Sequence, residues 1–251
     1  MSGVLYGVGL GPGDPELMTL KAYRLISNAK VIAYPTLEGS ESFARSIALD
    51  AIHTDVEEII VNIPMSVERG PAQAAYDLGA LMIAEKLDDG KDVVVLCEGD
   101  PFFYGSFMYL FSRLSEKYKC EIVPGVTSVT ACAASIATPL TARNEVLTII
   151  PGPIDEDLLE QRIAGSEAIA IMKVGRHLAK ICRVLEKLDL IKYAKYIERA
   201  TLPNELVLPL SAAPKKAPYF SMILVTKGND PWLYALLFYV FLNQVISLLE
   251  R

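Results

Sequence analysis

Apolar positions along the first half of the chain alternate between two periods. Apolar-rich runs at Val4–Leu10, Lys30–Tyr34, Val56–Val61 and Asp92–Cys97 predict strands, the most continuous of which suit the centre of a sheet covered on both faces. Helical spacing occupies Glu16–Ile26, Ser42–Ala51, Ala72–Leu87 and Ser106–Lys117. Asp14 as N-cap and Pro15 at the first helical position start the first helix, and Leu17, Leu20, Leu25 and Ile26 supply its apolar face. Gly90 closes the third helix. This strand–helix alternation predicts a parallel α/β sheet.

The rhythm changes after Lys119. Cys120–Val123 predicts a short strand, Pro124-Gly125-Val126-Thr127-Ser128 a turn, and Ser128–Ile136 a helix of small residues suited to close packing. Further strands are expected at Val146–Ile150, Ala168–Val174, Tyr193–Glu198, Leu206–Leu210 and Phe220–Thr226. Three of them come late with no full helix between, which predicts a mixed sheet finishing in antiparallel strands. The expected architecture is therefore two α/β domains, residues 1–118 and 119–251, with a small-molecule cleft between them.

Composition narrows the classes. With 251 residues, 52% hydrophobic, and a net charge of −6 from 24 basic and 30 acidic side chains, the chain is globular and has no basic run to hold nucleic acid. Cys97, Cys120, Cys132 and Cys182 lie far apart without C-x-x-C spacing, and His53 and His177 have no ligand partners nearby, so no metal site is expected. The thiols read as reduced and buried, as in a cytoplasmic protein. No signal peptide is expected at the N-terminus. Trp232–Leu249 is apolar all round except Asn243, Gln244 and Ser247. Eighteen residues are at the lower limit of a membrane span, and the two amides would need partners in lipid, so a helix packed on protein is the expectation.

Candidate chemistry sits at two turns where an apolar run meets a helical pattern: Gly7-Val8-Gly9-Leu10-Gly11-Pro12-Gly13-Asp14-Pro15 and Glu98-Gly99-Asp100-Pro101. Open α/β sheets present ligand-binding loops at such places. The first is no dinucleotide fingerprint, since its third glycine arrives one residue early and Asp14 stands where the last should be. Asp100 offers a carboxylate to a cation, a hydroxyl or a pyrrole N–H, or caps the helix after Pro101. The first turn, taken alone, could equally be a tight βα connection that binds nothing.

Three segments taken together carry a resemblance. Gly9-x-Gly11-Pro12-Gly13-Asp14-Pro15, Gly99-Asp100-Pro101-x-x-Tyr104-Gly105 and Pro124-Gly125-Val126-Thr127-Ser128, in this order and spacing, resemble the tetrapyrrole methylases that use S-adenosylmethionine. Met172-Lys173-Val174-Gly175-Arg176, Glu198-Arg199-Ala200-Thr201-Leu202-Pro203 and Pro218-Tyr219-Phe220-Ser221 are similar to the branch that methylates precorrin-2 at C20 in cobalamin synthesis. The resemblance implies two α/β domains, a homodimer, and S-adenosylmethionine held between the domains and released as S-adenosylhomocysteine. It implies that Pro12, Gly99, Asp100 and Phe103, with Thr127 and Ser128, surround the donor's methionine end and ribose, and that Met172, Ala200 and Thr201 bracket its adenine. Family members usually end soon after the strand matching Phe220–Thr226, so the resemblance assigns nothing to Gly228–Arg251.

The implied reaction, from precorrin-2 or its cobalt form, places demands that the residues can meet. Methyl transfer from a sulfonium expels a neutral thioether, so positioning dominates, and a near-attack pose is worth about 7–11 kcal/mol. Asp100 is the candidate to stabilise positive charge on the ring, Lys173 to meet a substrate carboxylate or tune ring protonation, and Tyr219 to hydrogen-bond the macrocycle. The substrate has eight carboxylates and the protein is acidic, so local cations must grip them, and Arg143, Arg176 and Arg199 are the candidates beside the motifs. Another tetrapyrrole position, a diphthine synthase and a non-catalytic S-adenosylmethionine-binding module are the alternatives.

Overall fold

The computed structural model describes residues 2–64 and 69–228, so the helix expected at Trp232–Leu249 lies outside the described residues. Among the described residues, β1 (Leu5–Gly9), β2 (Val31–Leu37), β3 (Glu57–Ile63), β4 (Val93–Cys97) and β5 (Cys120–Val123) form one parallel sheet in the order β3-β2-β4-β1-β5. All five positions of β4 are buried, as its unbroken apolar run requires of a strand covered on both faces. Successive side chains of a strand point to opposite faces. Val93, Val95 and Cys97 therefore pack with α3 (Arg69–Asp88) and α4 (Phe107–Leu114). Val94 and Leu96 pack with α1 (Leu20–Ser27) and α2 (Phe43–Ile47). Phe107 is fully buried at the start of α4, and its loss would cost about 3–5 kcal/mol.

Two expectations are corrected here. The predicted helix Glu16–Ile26 is divided: Asp14 caps only a 3₁₀ turn, Pro15–Leu17, by accepting from Glu16 N at 2.9 Å. Met18 then takes an extended ψ of 140°, and Thr19 caps α1 by accepting from Ala22 N at 3.1 Å. The second N-cap signal wins because an extended residue cannot continue a helix. The division near residue 118 is also displaced. β5 pairs in parallel with β1, from Leu5 opposite Cys120 to Val8 opposite Val123, so it completes the first sheet. The chain separates into two compact units between Ala131 and Cys132, within α5 (Ser128–Ile136).

In the second unit, β6 (Leu147–Pro151), β7 (Ala168–Met172), β8 (Ala194–Glu198), β9 (Leu206–Pro209) and β10 (Ser221–Thr226) form a mixed sheet in the order β6-β7-β10-β8-β9. β6 and β7 run parallel, and β10 runs antiparallel to both β7 and β8. α6 (Glu156–Ala164) and α7 (Leu178–Lys187) share one core with Ile169, Ile171, Tyr196, Ile223 and Val225. The sequence reading assigned neither helix, although Leu178, Ile181, Val184 and Leu185, all buried on α7, carry the helical period.

Candidate functional site

In a parallel sheet, ligand loops leave the carboxyl ends of the strands. β1 and β4 are neighbours, so the loops that follow them start side by side. Gly11 and Gly99 exchange main-chain hydrogen bonds, Gly99 N to Gly11 O at 2.7 Å and Gly11 N to Gly99 O at 3.2 Å. The third motif joins them. A Cβ on Gly9 would lie 2.6 Å from Gly125 N, and a Cβ on Gly125 would lie 2.1 Å from Gly99 O. Three stretches of main chain therefore touch where no side chain fits.

Asp100 ties this junction. Its Oδ1 accepts from Phe102 N at 2.9 Å and its Oδ2 from Gly125 N at 3.0 Å, so one carboxylate both closes its own turn and clamps the Pro124–Ser128 loop. Gly99 itself has φ +63°, and the nearest atom to its absent Cβ is Val126 O at 3.9 Å. That side of the junction is open. Pro12 and Phe103 are half-buried beside it in sequence, and Phe103 meets the Tyr104 ring edge-on at 5.2 Å. Thr127 O accepts from Ala131 N at 3.1 Å, while its hydroxyl meets that of Thr130 at 3.2 Å. Thr127 thus enters α5, which begins at Ser128.

The second unit gathers its own set of motif residues. Because β10 is antiparallel to both neighbours, its beginning lies beside the ends of β7 and β8. Met222 pairs with Met172, Ser221 with Glu198, and Arg199 N donates to Phe220 O at 2.9 Å. Ser221 Oγ donates to Pro218 O at 2.7 Å and accepts from Gly175 N at 3.4 Å. Met172, Lys173, Tyr219, Arg199, Ala200 and Thr201 consequently share one sheet edge, joined by Gly152, whose N–H donates to Met172 O at 2.8 Å. Tyr219 is 73% exposed and stands edge-on to Phe220 at 5.1 Å. Arg176 is exposed in the 3₁₀ turn Gly175–His177 that follows β7.

Arg143 and Arg199 have different surroundings. Arg143 belongs to the segment entering β6, which is parallel to β7, so that segment meets the sheet at the opposite edge from Lys173. Arg199 is already engaged: its guanidinium donates to Glu198, and its Nε donates to Asn204 O at 3.1 Å. Glu198 is buried and also accepts from Tyr196 Oη at 2.5 Å. Desolvation and that hydrogen bond push the Tyr196 phenol upward, so it remains a donor. Sequence reading passed over Glu198 as a group with a role of its own, and over Glu205, whose carboxylate accepts from Thr201 N at 2.6 Å. No local sequence signal marked Glu205, whose role lies in its partners Thr201 and Ser135.

Backbone strain marks these residues independently. Among the described residues, seven that are not glycine have left-handed φ: Tyr104, Ala137, Arg143, Lys173, Asp189, Arg199 and Thr201. Ala137 and Asp189 follow the ends of α5 and α7, a usual place for such values. The other five are all motif or candidate residues. Such conformations cost about 1–3 kcal/mol each and persist where surroundings impose them, which is characteristic of binding sites.

Among the described residues, no group of three or more His, Cys, Asp and Glu is arranged to hold a metal, and no helix is long and apolar enough to cross a membrane. The four cysteines are free. The profile of the tetrapyrrole (corrin/porphyrin) methylases matches residues 4–214. A precorrin-2 C(20)-methyltransferase of Sinorhizobium sp is 38% identical over 243 residues, covering 92% of this chain and 99% of that protein. A cobalt-precorrin-2 C(20)-methyltransferase of Salmonella typhimurium is 31% identical over 239 residues, covering 94% and 100%. The crystal structure of a uroporphyrin-III C-methyl transferase from Thermus thermophilus, complexed with S-adenyl homocysteine, superposes with a TM-score of 0.64 at 25% identity, covering 89% of this chain and 97% of that one.

Proposed function

Because the chain belongs to the tetrapyrrole (corrin/porphyrin) methylases, we propose that it transfers a methyl group from S-adenosylmethionine to C20 of precorrin-2, or of its cobalt form, in cobalamin biosynthesis. The observation that carries this reading is the junction of Gly9, Gly11, Gly99 and Gly125, where three motifs met separately in the sequence share one main-chain contact. Both relatives of matching length are named for the C20 position.

The residues suit such a donor. The open side of Gly99 leaves room for polar main-chain contact with its methionine end, with Pro12, Phe103, Thr127 and Ser128 around it. When bound, the donor supplies a methyl group on a cationic sulfur whose departure needs no acid. Asp100 holds its loops by accepting from main-chain N–H groups, and a carboxylate at this place complements a sulfonium. Met172, Ala200 and Thr201 are proposed to meet the adenine. Lys173 and Tyr219, at one edge of the second sheet, are proposed to meet the macrocycle, with Arg176 gripping a peripheral carboxylate. Arg199 contributes through the turn it holds, and Arg143 is proposed to bind carboxylate only at the substrate's periphery. We read the enzyme as a cytoplasmic homodimer.

Incubation with methyl-¹³C S-adenosylmethionine and either metal-free or cobalt precorrin-2, followed by NMR location of the label, tests the proposal. Label at C20 is expected in at least one form. Label at another carbon, or none in both, overturns it.

A further inference from the structure

Two glutamates converge on the turn Arg199–Thr201. Arg199 and Thr201 hold φ values of +52° and +68°, the second unusual for a β-branched side chain. Leu202 N donates to Arg199 O, and Glu205 N to Leu202 O, each at 3.0 Å. Buried Glu198 accepts from the Arg199 guanidinium. Glu205 Oε2 accepts from Thr201 N at 2.6 Å and from Ser135 Oγ of α5 at 2.7 Å. Glu205 is exposed, and exposed side chains ordinarily matter little to stability. Yet one of its oxygens holds together a strained turn and a helix that lie far apart in sequence.

We propose that Glu205 is a positioning residue that keeps Thr201 in its left-handed conformation and thereby sets the affinity for the adenosyl end of the methyl donor. The inference rests on the reading that Ala200 and Thr201 meet the adenine. Without the carboxylate, Thr201 N–H loses this acceptor and the turn relaxes toward the negative φ that a β-branched residue prefers. Ala200 and Thr201 must then be reordered on binding, which weakens affinity while leaving the chemical step alone.

The test compares the full chain with its Glu205→Ala and Glu205→Gln variants. Calorimetry with S-adenosylhomocysteine is expected to show about tenfold weaker binding for Glu205→Ala. KM for S-adenosylmethionine should rise by the same factor, with kcat and the KM for the tetrapyrrole within about twofold. Glu205→Gln keeps an acceptor oxygen and should stay within about threefold of the parent in affinity. Amide hydrogen exchange at Thr201, measured without ligand, should accelerate in the alanine variant and be restored in the glutamine one. If exchange accelerates or the thermal midpoint falls while affinity is unchanged, the inference is overturned and the methyl-donor reading stands. Failure of the parent protein to bind S-adenosylhomocysteine would overturn that reading and this inference with it.

Discussion

Alanine at position 125 would strike the place where the three glycine loops meet. The new Cβ would lie 2.1 Å from Gly99 O and 2.9 Å from the Cα of Gly9. Side-chain carbons essentially never approach closer than 3.0 Å, so the gap to Gly99 O must open by about 0.9 Å. Both atoms that could yield are main chain. Gly99 is held by reciprocal bonds to Gly11 at 2.7 and 3.2 Å, and Gly125 by Asp100 at 3.0 Å. Overpacking of this kind costs about 1–3 kcal/mol, which for a chain of this size lowers Tm by roughly 2–12 °C. Catalysis should suffer more, because misplacement by about 1 Å costs on the order of 100-fold in rate. The assay is the initial rate of methyl transfer at saturating S-adenosylmethionine, with calorimetry against S-adenosylhomocysteine and a thermal melt on the same preparations. Gly165→Ala is the control: it closes α6 at φ −87° with nothing within 4 Å of the new carbon, and should be neutral or stabilising by about 0.4–1 kcal/mol. A Gly125→Ala enzyme with rate and affinity within threefold of the parent would refute the reasoning.

Three further outcomes follow from the same geometry. Asp100→Asn leaves one oxygen for two main-chain donors, so losing a charge-assisted bond should cost about 1.5–3 kcal/mol and lower Tm along with activity; activity lost at an unchanged Tm would instead mark Asp100 as a proton acceptor alone. Glu58 accepts from Arg45 Nε at 2.7 Å, Arg45 Nη2 at 2.8 Å and Tyr34 Oη at 2.6 Å, and the Arg45 hydrogen bond holds its carboxyl below the ordinary 4.5. The unfolded chain binds that proton more tightly, so the stabilisation, about 1 kcal/mol after solvent screening, is complete above about pH 5 and is lost as pH falls through the folded value. Urea melts of Glu58→Gln should lack that acid-side loss, and a parent-like slope would count against it. Burial pushes the Cys132 thiol up to about 12 and the Cys97 thiol higher still, so Ellman's reagent at pH 8 should spare both in the folded protein and modify all four cysteines in denaturant; rapid native labelling of Cys97 would contradict its burial.

How much was legible depended on whether a feature is local. The strand runs were readable because a strand covered on both faces must be apolar throughout, as at Val93–Cys97. The residues of the main-chain junction were readable as motifs, since glycine is required wherever main chains touch, as at Gly9 and Gly125. The first helix was misread because two N-cap signals, Asp14 and Thr19, lie five residues apart, and nothing local says that the first stops after one turn. Glu205 was missed because its meaning lies in its partners, Thr201 and Ser135.

By itself, the sequence determined the α/β alternation, the mixed character of the second sheet, and which loops carry the glycine motifs, because each follows from burial period or from backbone freedom at single positions. Only the tertiary structure decided who stands beside whom. β10, last in order, is inserted between β7 and β8, and that alone brings Tyr219 to the edge that holds Lys173 and Thr201. β5 joins β1 and not the later strands. Strand order is set by which non-local closures bury the most apolar surface for the chain entropy they cost, and a one-dimensional pattern records the surface to be buried without recording the partner that will bury it.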